Sequence, residues 1–132
     1  MKPQGLSGSE RVKRKKDFEK IFTSGTTLIS SDKKAKVTFY YDKSLERSNI
    51  KAAFAVHKKA GKAFWRNRAK RLLRESYRLN KEKFFSGLNI STGSLMIVFS
   101  LYSINQKKNT NLYLKDIMPA VNDLMDKIKD RF

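Results

Sequence analysis

The sequence predicts a single α/β domain, and three observations point there. Two stretches, Lys36–Tyr41 and Ile50–His57, alternate with a period of two, as half-covered strands do. A long segment from about Lys62 to Gly87 repeats its apolar residues at helical spacing. The run from Leu95 to Tyr102 is apolar on both faces, which suits a strand covered on both sides. A strand, a crossover helix and a further strand require a parallel pairing in the sheet. At 132 residues, with 39% hydrophobic and 11% aromatic content, the chain can bury roughly two thirds of its unfolded surface in one core.

Taken in order, residues 1–10 read as a flexible basic arm and residues 11–132 as one domain. Met1 to Ser9 is polar and carries Pro3, Gly5 and Gly8. Arg11, Lys13, Arg14, Lys15 and Lys16 put five positive charges into six residues. A short helix follows, with Phe18, Ile21 and Phe22 on one face, acids Asp17 and Glu19 in its first turn and Ser24-Gly25 as its stop. By periodicity alone that apolar face is core packing. In the first strand Val37, Phe39 and Tyr41 oppose Thr38 and Tyr40. In the second, Ile50, Ala52, Phe54 and Val56 oppose Lys51, Ala53, Ala55 and His57, and the small residues leave that second face shallow. The turn-like link from Asp42 to Asn49 predicts that these two strands pair antiparallel.

The basic loop Lys58–Gly61 leads into the long helix, whose apolar arc gathers Ala69, Leu72, Leu73, Ser76, Leu79 and Phe84. Lys70, Arg71, Arg74, Arg78 and Lys81 occupy another arc, with Asn67 among them. Ser86-Gly87 ends the helix. Asn89–Ser94 reads as a polar loop, and so does Asn105–Asn111, which is expected to be mobile. Leu114, Ile117, Met118, Val121, Leu124, Met125 and Ile128 predict a terminal helix, in which Pro119 must fall in the first turn or cause a kink.

Charge sets the function class. From Lys58 to Lys81 ten Lys or Arg stand against one Glu, a net of +9 within 24 residues and half of the chain's +18. Like charges so gathered repel unless a polyanion covers them, and at pI ≈ 10.3 nucleic acid ranks ahead of an acidic membrane or protein. A solvated helix face would need compensating acids, and Glu75 is nearly the only one. A helix that reads base edges usually mixes Arg with Asn, Gln, Ser or Thr, whereas the cationic arc here is nearly all Arg and Lys, so phosphates fit better than DNA sequence. Densely packed RNA fits best. No apolar run approaches the ~20 residues of a membrane span, and the chain reads as cytoplasmic. Without cysteine, disulfides and thiolate metal sites are excluded.

Protein-borne catalysis is not indicated. The twelve acids are scattered, with Asp116, Asp123, Asp126 and Asp130 expected to face solvent on the terminal helix. Nuclease chemistry normally needs clustered carboxylates or a His pair, and His57 is alone. On its own His57 reads as a surface or partly packed residue, with RNA contact as the alternative.

At Lys58-Lys59-x-Gly61-Lys62-Ala63-x-x-Arg66-Asn67-Arg68-x-Lys70-Arg71-x-x-Arg74-Glu75 the sequence resembles the signature of the bacterial ribonuclease P protein family, with weaker similarity from about Arg11 to the terminal helix. The resemblance implies an α-β sandwich with a four-stranded mixed sheet, in the order α-β-β-β-α-β-α. It also implies a left-handed β-α-β crossover around the basic helix, against the usual preference. One strand is therefore still to be placed, within Gly25–Ala35 or around Tyr102–Lys107. The resemblance further implies a protein that binds a catalytic RNA and the 5′ leader of precursor tRNA and assists removal of that leader. The chemistry would lie on the RNA, with Mg²⁺ held mainly by it, no organic cofactor and no obligate protein partner.

By motif position, Lys58, Lys59, Lys62, Arg66, Asn67, Arg68, Lys70, Arg71 and Arg74 would meet the catalytic RNA. Arg11, Arg14, Phe18, Phe22, Tyr40 and His57 would line the leader cleft, which moves Phe18 and Phe22 from core toward cleft wall. Ala53 stands where the family usually has Gly, Ala60 and Ala69 where it favours branched aliphatics, and Phe64-Trp65 replaces its usual Val pair. These differences read as repacking of the core. Gly93-Ser94 lacks the Asp that commonly opens the next strand, so no metal ligand is carried over. A ribosomal-type RNA-binding protein is the alternative, and a stand-alone nuclease the third reading.

Overall fold

The computed structural model describes residues 10–43, 49–90 and 92–132, so the expected arm over 1–9 and most of the link at 44–48 lie outside the described residues. The elements run α1 (Lys15–Ser24), β1 (Thr26–Ile29), β2 (Ala35–Asp42), β3 (Asn49–Ala55), a 3-10 turn (Lys58–Ala60), α2 (Ala63–Gly87), β4 (Ser94–Leu101) and α3 (Leu114–Lys129). The four strands form one mixed sheet in the order β1-β2-β4-β3.

The predicted pairing of β2 with β3 does not occur. β4 lies between them, antiparallel to β2 and parallel to β3. The reason is burial. Leu95 to Phe99 are all buried, and an outer position for β4 would leave one of its apolar flanks uncovered. That outweighs the local cue of a short link. The unplaced strand is β1, which pairs antiparallel with β2 from Thr26↔Phe39 to Ile29↔Lys36. Gly25 permits its entry, because a Cβ there would run into the carbonyl oxygens of Ile21 and Phe39.

One face of the sheet carries the main core. Val37 and Phe39, Ala52 and Phe54, and Leu95, Ile97, Phe99 and Leu101 meet Trp65, Ala69, Leu73, Tyr77 and Phe84 of α2 and Ile117, Val121, Leu124 and Ile128 of α3. Each large side chain so buried contributes roughly 1.5–3 kcal/mol. The buried arc of α2 contains Trp65 and Tyr77, whereas Leu79, expected inside, is 48% exposed. The 25-residue helix has no Gly or Pro before Gly87 and closes with Leu88 N–H donating to the carbonyls of Phe84 and Phe85.

The opposite face carries a smaller cluster. Val12, Ile21, Met96 and Val98 are buried there, with Phe18, Tyr40, Ala53 and Ala55 packed against them. Both strand faces therefore follow the predicted alternation, although β3 ends at Ala55, before His57. As an edge strand β3 is covered by the incoming chain, since Arg11 bridges to Ala52 and Val12 N–H donates to the Ala52 carbonyl at 3.1 Å. Glu10 pairs with Lys81 of α2 at 3.1 Å, pinning the segment that leads into α1.

In α3, Pro119 falls in the second turn rather than the first, and the helix runs through it. The missing N–H lies on an exposed residue. Asp116 accepts from Tyr113 N–H at 2.8 Å and caps the start. Asp123, expected to face solvent, is half-buried and accepts from Ser31 N–H at 2.8 Å, tying the β1–β2 hairpin to α3. Phe132 stacks edge-on against Tyr41 and Phe39, with centroids at 5.1 and 6.2 Å.

Candidate nucleic-acid interface

The start of α2 is braced by the loop before α3. Gln106 N–H donates to the Ala60 carbonyl at 2.8 Å, while Gln106 Oε1 accepts from Lys62 N–H at 2.8 Å. Trp65 Nε1 donates to the Asn109 carbonyl at 2.9 Å. The segment read as a mobile loop is thus bonded along the first turn of α2.

This bracing aims the cations. Arg66 donates from Nε to the Gly61 carbonyl at 3.0 Å, and Arg68 from Nε to the Leu112 carbonyl at 2.7 Å. Each guanidinium plane is fixed by one backbone bond and keeps its terminal amino groups for a bidentate anion contact. Asn67, Arg71 and Arg74 are exposed and Lys70 is half-buried on the same helix. Lys58, Lys59 and Lys62 are exposed at its entrance, where His57 Nδ1 accepts from Lys59 N–H at 3.1 Å. The far end of the cationic arc is already engaged. Arg78 pairs with Glu75, and Lys81 pairs with Glu10. Glu10 is 71 residues from Lys81, so the sequence carries no sign of that compensation.

Two hollows flank α1. The first, about 230 Å³, is lined by Arg11, Val12, Phe18, Ala52, Ala53, Phe54 and Arg74, with no acidic side chain among the described residues. The second, about 220 Å³, includes Arg14, Lys20, Tyr40, Lys51 and Met96, together with Asp17 and Asp42. Lys20 Nζ stands 5.7 Å from the centroid of the Tyr40 ring, within cation–π range. The first hollow therefore attracts anions more strongly than the second, whose two carboxylates oppose its cations.

The expected cleft residues divide between these hollows. Arg11 and Phe18 fall in the first and Arg14 and Tyr40 in the second, whereas Phe22 and His57 line neither. Phe22 is 59% exposed on α1. Arg74, grouped by motif with the α2 cations, shares the first hollow with Phe18 and Arg11. Lys20 and Lys51 were missed. The alternation of β3 already put Lys51 on the shallow face beside Ala53, which was the available signal. Phe64 is not core repacking, since it is 68% exposed.

Beneath the α2 face, Tyr77 packs against Phe54, Phe99 and Phe84. Its hydroxyl is buried without a hydrogen-bond partner among the described residues. Burial, and secondarily the charge of Glu10, pushes its ionisation above the usual phenol range. Among the described residues no group of three or more His, Cys, Asp and Glu is placed to hold a metal ion. Among them, too, no helix is long and apolar enough to cross a membrane.

Known proteins share this sequence and fold. The ribonuclease P protein component of Macrococcus caseolyticus is 35% identical over 72 residues, 54% of this chain and 59% of that relative. The component from Clostridium botulinum is 31% identical over 118 residues, 89% of this chain and 92% of the relative. The fold is shared with the Staphylococcus aureus RNase P protein at a TM-score of 0.66 and 21% identity, over 91% of this chain and 95% of that one. The Thermotoga maritima RNase P protein, solved with 1-(4-fluorophenyl)-2-thiourea, gives 0.65 at 26% identity, over 89% and 98%. A model of the ribonuclease P family matches residues 6–125, from before the strap on β3 to well into α3, and the chain accordingly belongs to the ribonuclease P protein family.

Proposed function

We propose that this chain is the protein subunit of a ribonucleoprotein endonuclease that removes the 5′ leader from precursor tRNA. The observation that carries the reading is the pairing of two surfaces on one rigid helix. Arg66 and Arg68 are aimed by backbone carbonyls, and Arg74 meets Phe18 and Arg11 in a hollow that no acid among the described residues lines. The first surface suits the fixed, dense phosphates of a folded catalytic RNA. The second suits an unpaired strand, which needs an aromatic face for a base and cations for its backbone.

Cleavage itself belongs on this reading to the RNA, with Mg²⁺ held mainly there. The side chains of this protein bind and orient. Arg66, Arg68, Lys70 and Arg71 neutralise phosphates of the catalytic RNA, and Phe18, Arg11, Arg74 and Tyr40 hold the leader.

The test is assembly with the catalytic RNA. Arg66→Ala and Arg68→Ala should each weaken it by ~1–3 kcal/mol. Unchanged assembly and leader removal in the double variant would refute the role. Recovery of the tagged protein with ribosomal particles, and not with a tRNA-processing RNA, would replace it by a ribosomal one.

A further inference from the structure

Two of the large exposed hydrophobic side chains, Phe64 at 68% and Tyr113 at 51%, belong to the two segments that Arg68 ties together. Phe64 lies one turn before Arg68 on α2, so the two share a helix face. Arg68 donates from Nε to the Leu112 carbonyl at 2.7 Å, and Tyr113 is the next residue. Beyond it, Lys115 Nζ stands 5.7 Å from the Tyr113 ring centroid. The junction of α2 and α3 thus combines two rings with a guanidinium and an ammonium. Asp116, three residues beyond Tyr113, accepts from Tyr113 N–H at 2.8 Å, against the two cations. The core below is closed by Trp65, Ala69, Leu112 and Ile117, so folding does not require either ring.

We propose that Phe64 and Tyr113 form a stacking site for unpaired bases of the RNA that binds the cationic end of α2. Arg68 and Lys115 would neutralise the phosphates between those bases. This rests on the function proposed above. Bases offer a π-face to such rings whatever their identity, but only unpaired ones are free to leave their own stack. A second copy of this chain is disfavoured as occupant, because two molecules of charge +18 would meet through their cationic faces. A membrane surface would need a continuous apolar face, and here a guanidinium interrupts it.

The experiment measures affinity of the full-length protein for the purified RNase P RNA of its own organism across a salt series. Phe64→Leu and Tyr113→Leu keep apolar bulk and remove the π-face. Each should weaken binding about 5- to 150-fold without changing the slope of log K against log salt, because no charge is lost. Phe64→Trp should bind as wild type, and thermal unfolding should be unchanged in all three. Arg68→Ala, by contrast, should reduce the slope. Binding of the double Leu variant within twofold of wild type overturns the inference, as does a loss of affinity accompanied by a smaller slope. Self-association of the wild type that disappears in the double variant, with RNA affinity kept, also overturns it. Wild-type protein that fails to bind this RNA overturns the proposed function and the inference with it.

Discussion

Phe18→Ala separates packing from binding at the hollow proposed for the leader. The ring is half-buried, packed against the cluster of Val12, Ile21, Met96 and Val98, and its other side lines the hollow with Arg11 and Arg74. A fully buried Phe→Ala change costs about 3–5 kcal/mol, so a half-open ring should cost about half, ~1.5–2.5 kcal/mol. Against a typical domain stability of at least ~5 kcal/mol, roughly 98% of molecules stay folded. A binding loss in this variant is therefore not unfolding. Removing one stacked base contact should weaken precursor tRNA binding by ~1–3 kcal/mol, about 5- to 150-fold. The control is Phe18→Leu, which restores most of the apolar volume at a cost below ~1.5 kcal/mol but offers no π-face. Urea melts give the stability of each variant, and affinities of the assembled holoenzyme for precursor and mature tRNA give the binding. Stability should recover in Phe18→Leu while precursor affinity does not. Wild-type precursor binding by Phe18→Leu, or equal losses on precursor and mature tRNA, would refute the reasoning.

Three further predictions address other contacts. Arg68→Lys keeps the charge but cannot hold the Leu112 carbonyl and fork a phosphate at once; RNA affinity should fall by ~1–2 kcal/mol with an unchanged salt slope, measured by titration at several salt concentrations. At Asp123 burial pushes the carboxyl up, but Ser31 and Lys127 together pull it further down, so its net position lies below the ordinary carboxylate range. The stabilisation is then fully present above the unfolded value of about 3.9 and is lost as pH falls through the folded one; Asp123→Ala should cost up to about 1 kcal/mol at pH 7, and the difference from wild type should vanish in acid melts. Tyr77→Phe removes a buried hydroxyl that lacks a partner among the described residues, so the urea midpoint should rise, by about 1 kcal/mol in stability; a loss of that size would mean the hydroxyl is satisfied.

What the sequence made legible was whatever one element decides by itself. Alternation placed Val37 and Phe39 on the main core face and Ala53 and Ala55 on the other, as the two clusters show. Ser24-Gly25 and Ser86-Gly87 marked the ends of α1 and α2. What stayed illegible was set between elements. β1 is four residues with an almost wholly exposed pattern, and it exists because β2 offers it a free edge. The sheet order depends on where β4 can bury both flanks, which no single strand reveals. The helical wheel of α2 spread its apolar arc toward Leu79, whereas the contact with β3 and β4 selects Tyr77, whose ring lies 5.8 Å from Phe54 and 5.5 Å from Phe99.

The same distinction governs the candidate site. A motif groups Arg66, Arg68 and Arg74 because they are near in sequence, but the fold gives them different neighbours. The first two are held toward Gly61 and Leu112, while Arg74 looks into the hollow of Phe18 and Arg11. At 1.5 Å per residue Arg66 and Arg74 lie about 12 Å apart along one continuous helix. Between those two residues the helix carries no Gly or Pro at which to bend, and it buries Trp65, Leu73 and Tyr77 along its length. The spacing between the surface proposed for the catalytic RNA and the hollow proposed for the leader is therefore not adjustable. On the proposed function, a protein built this way would assist leader removal by holding two RNA strands in fixed register, a task of positioning in which no side chain here needs to react.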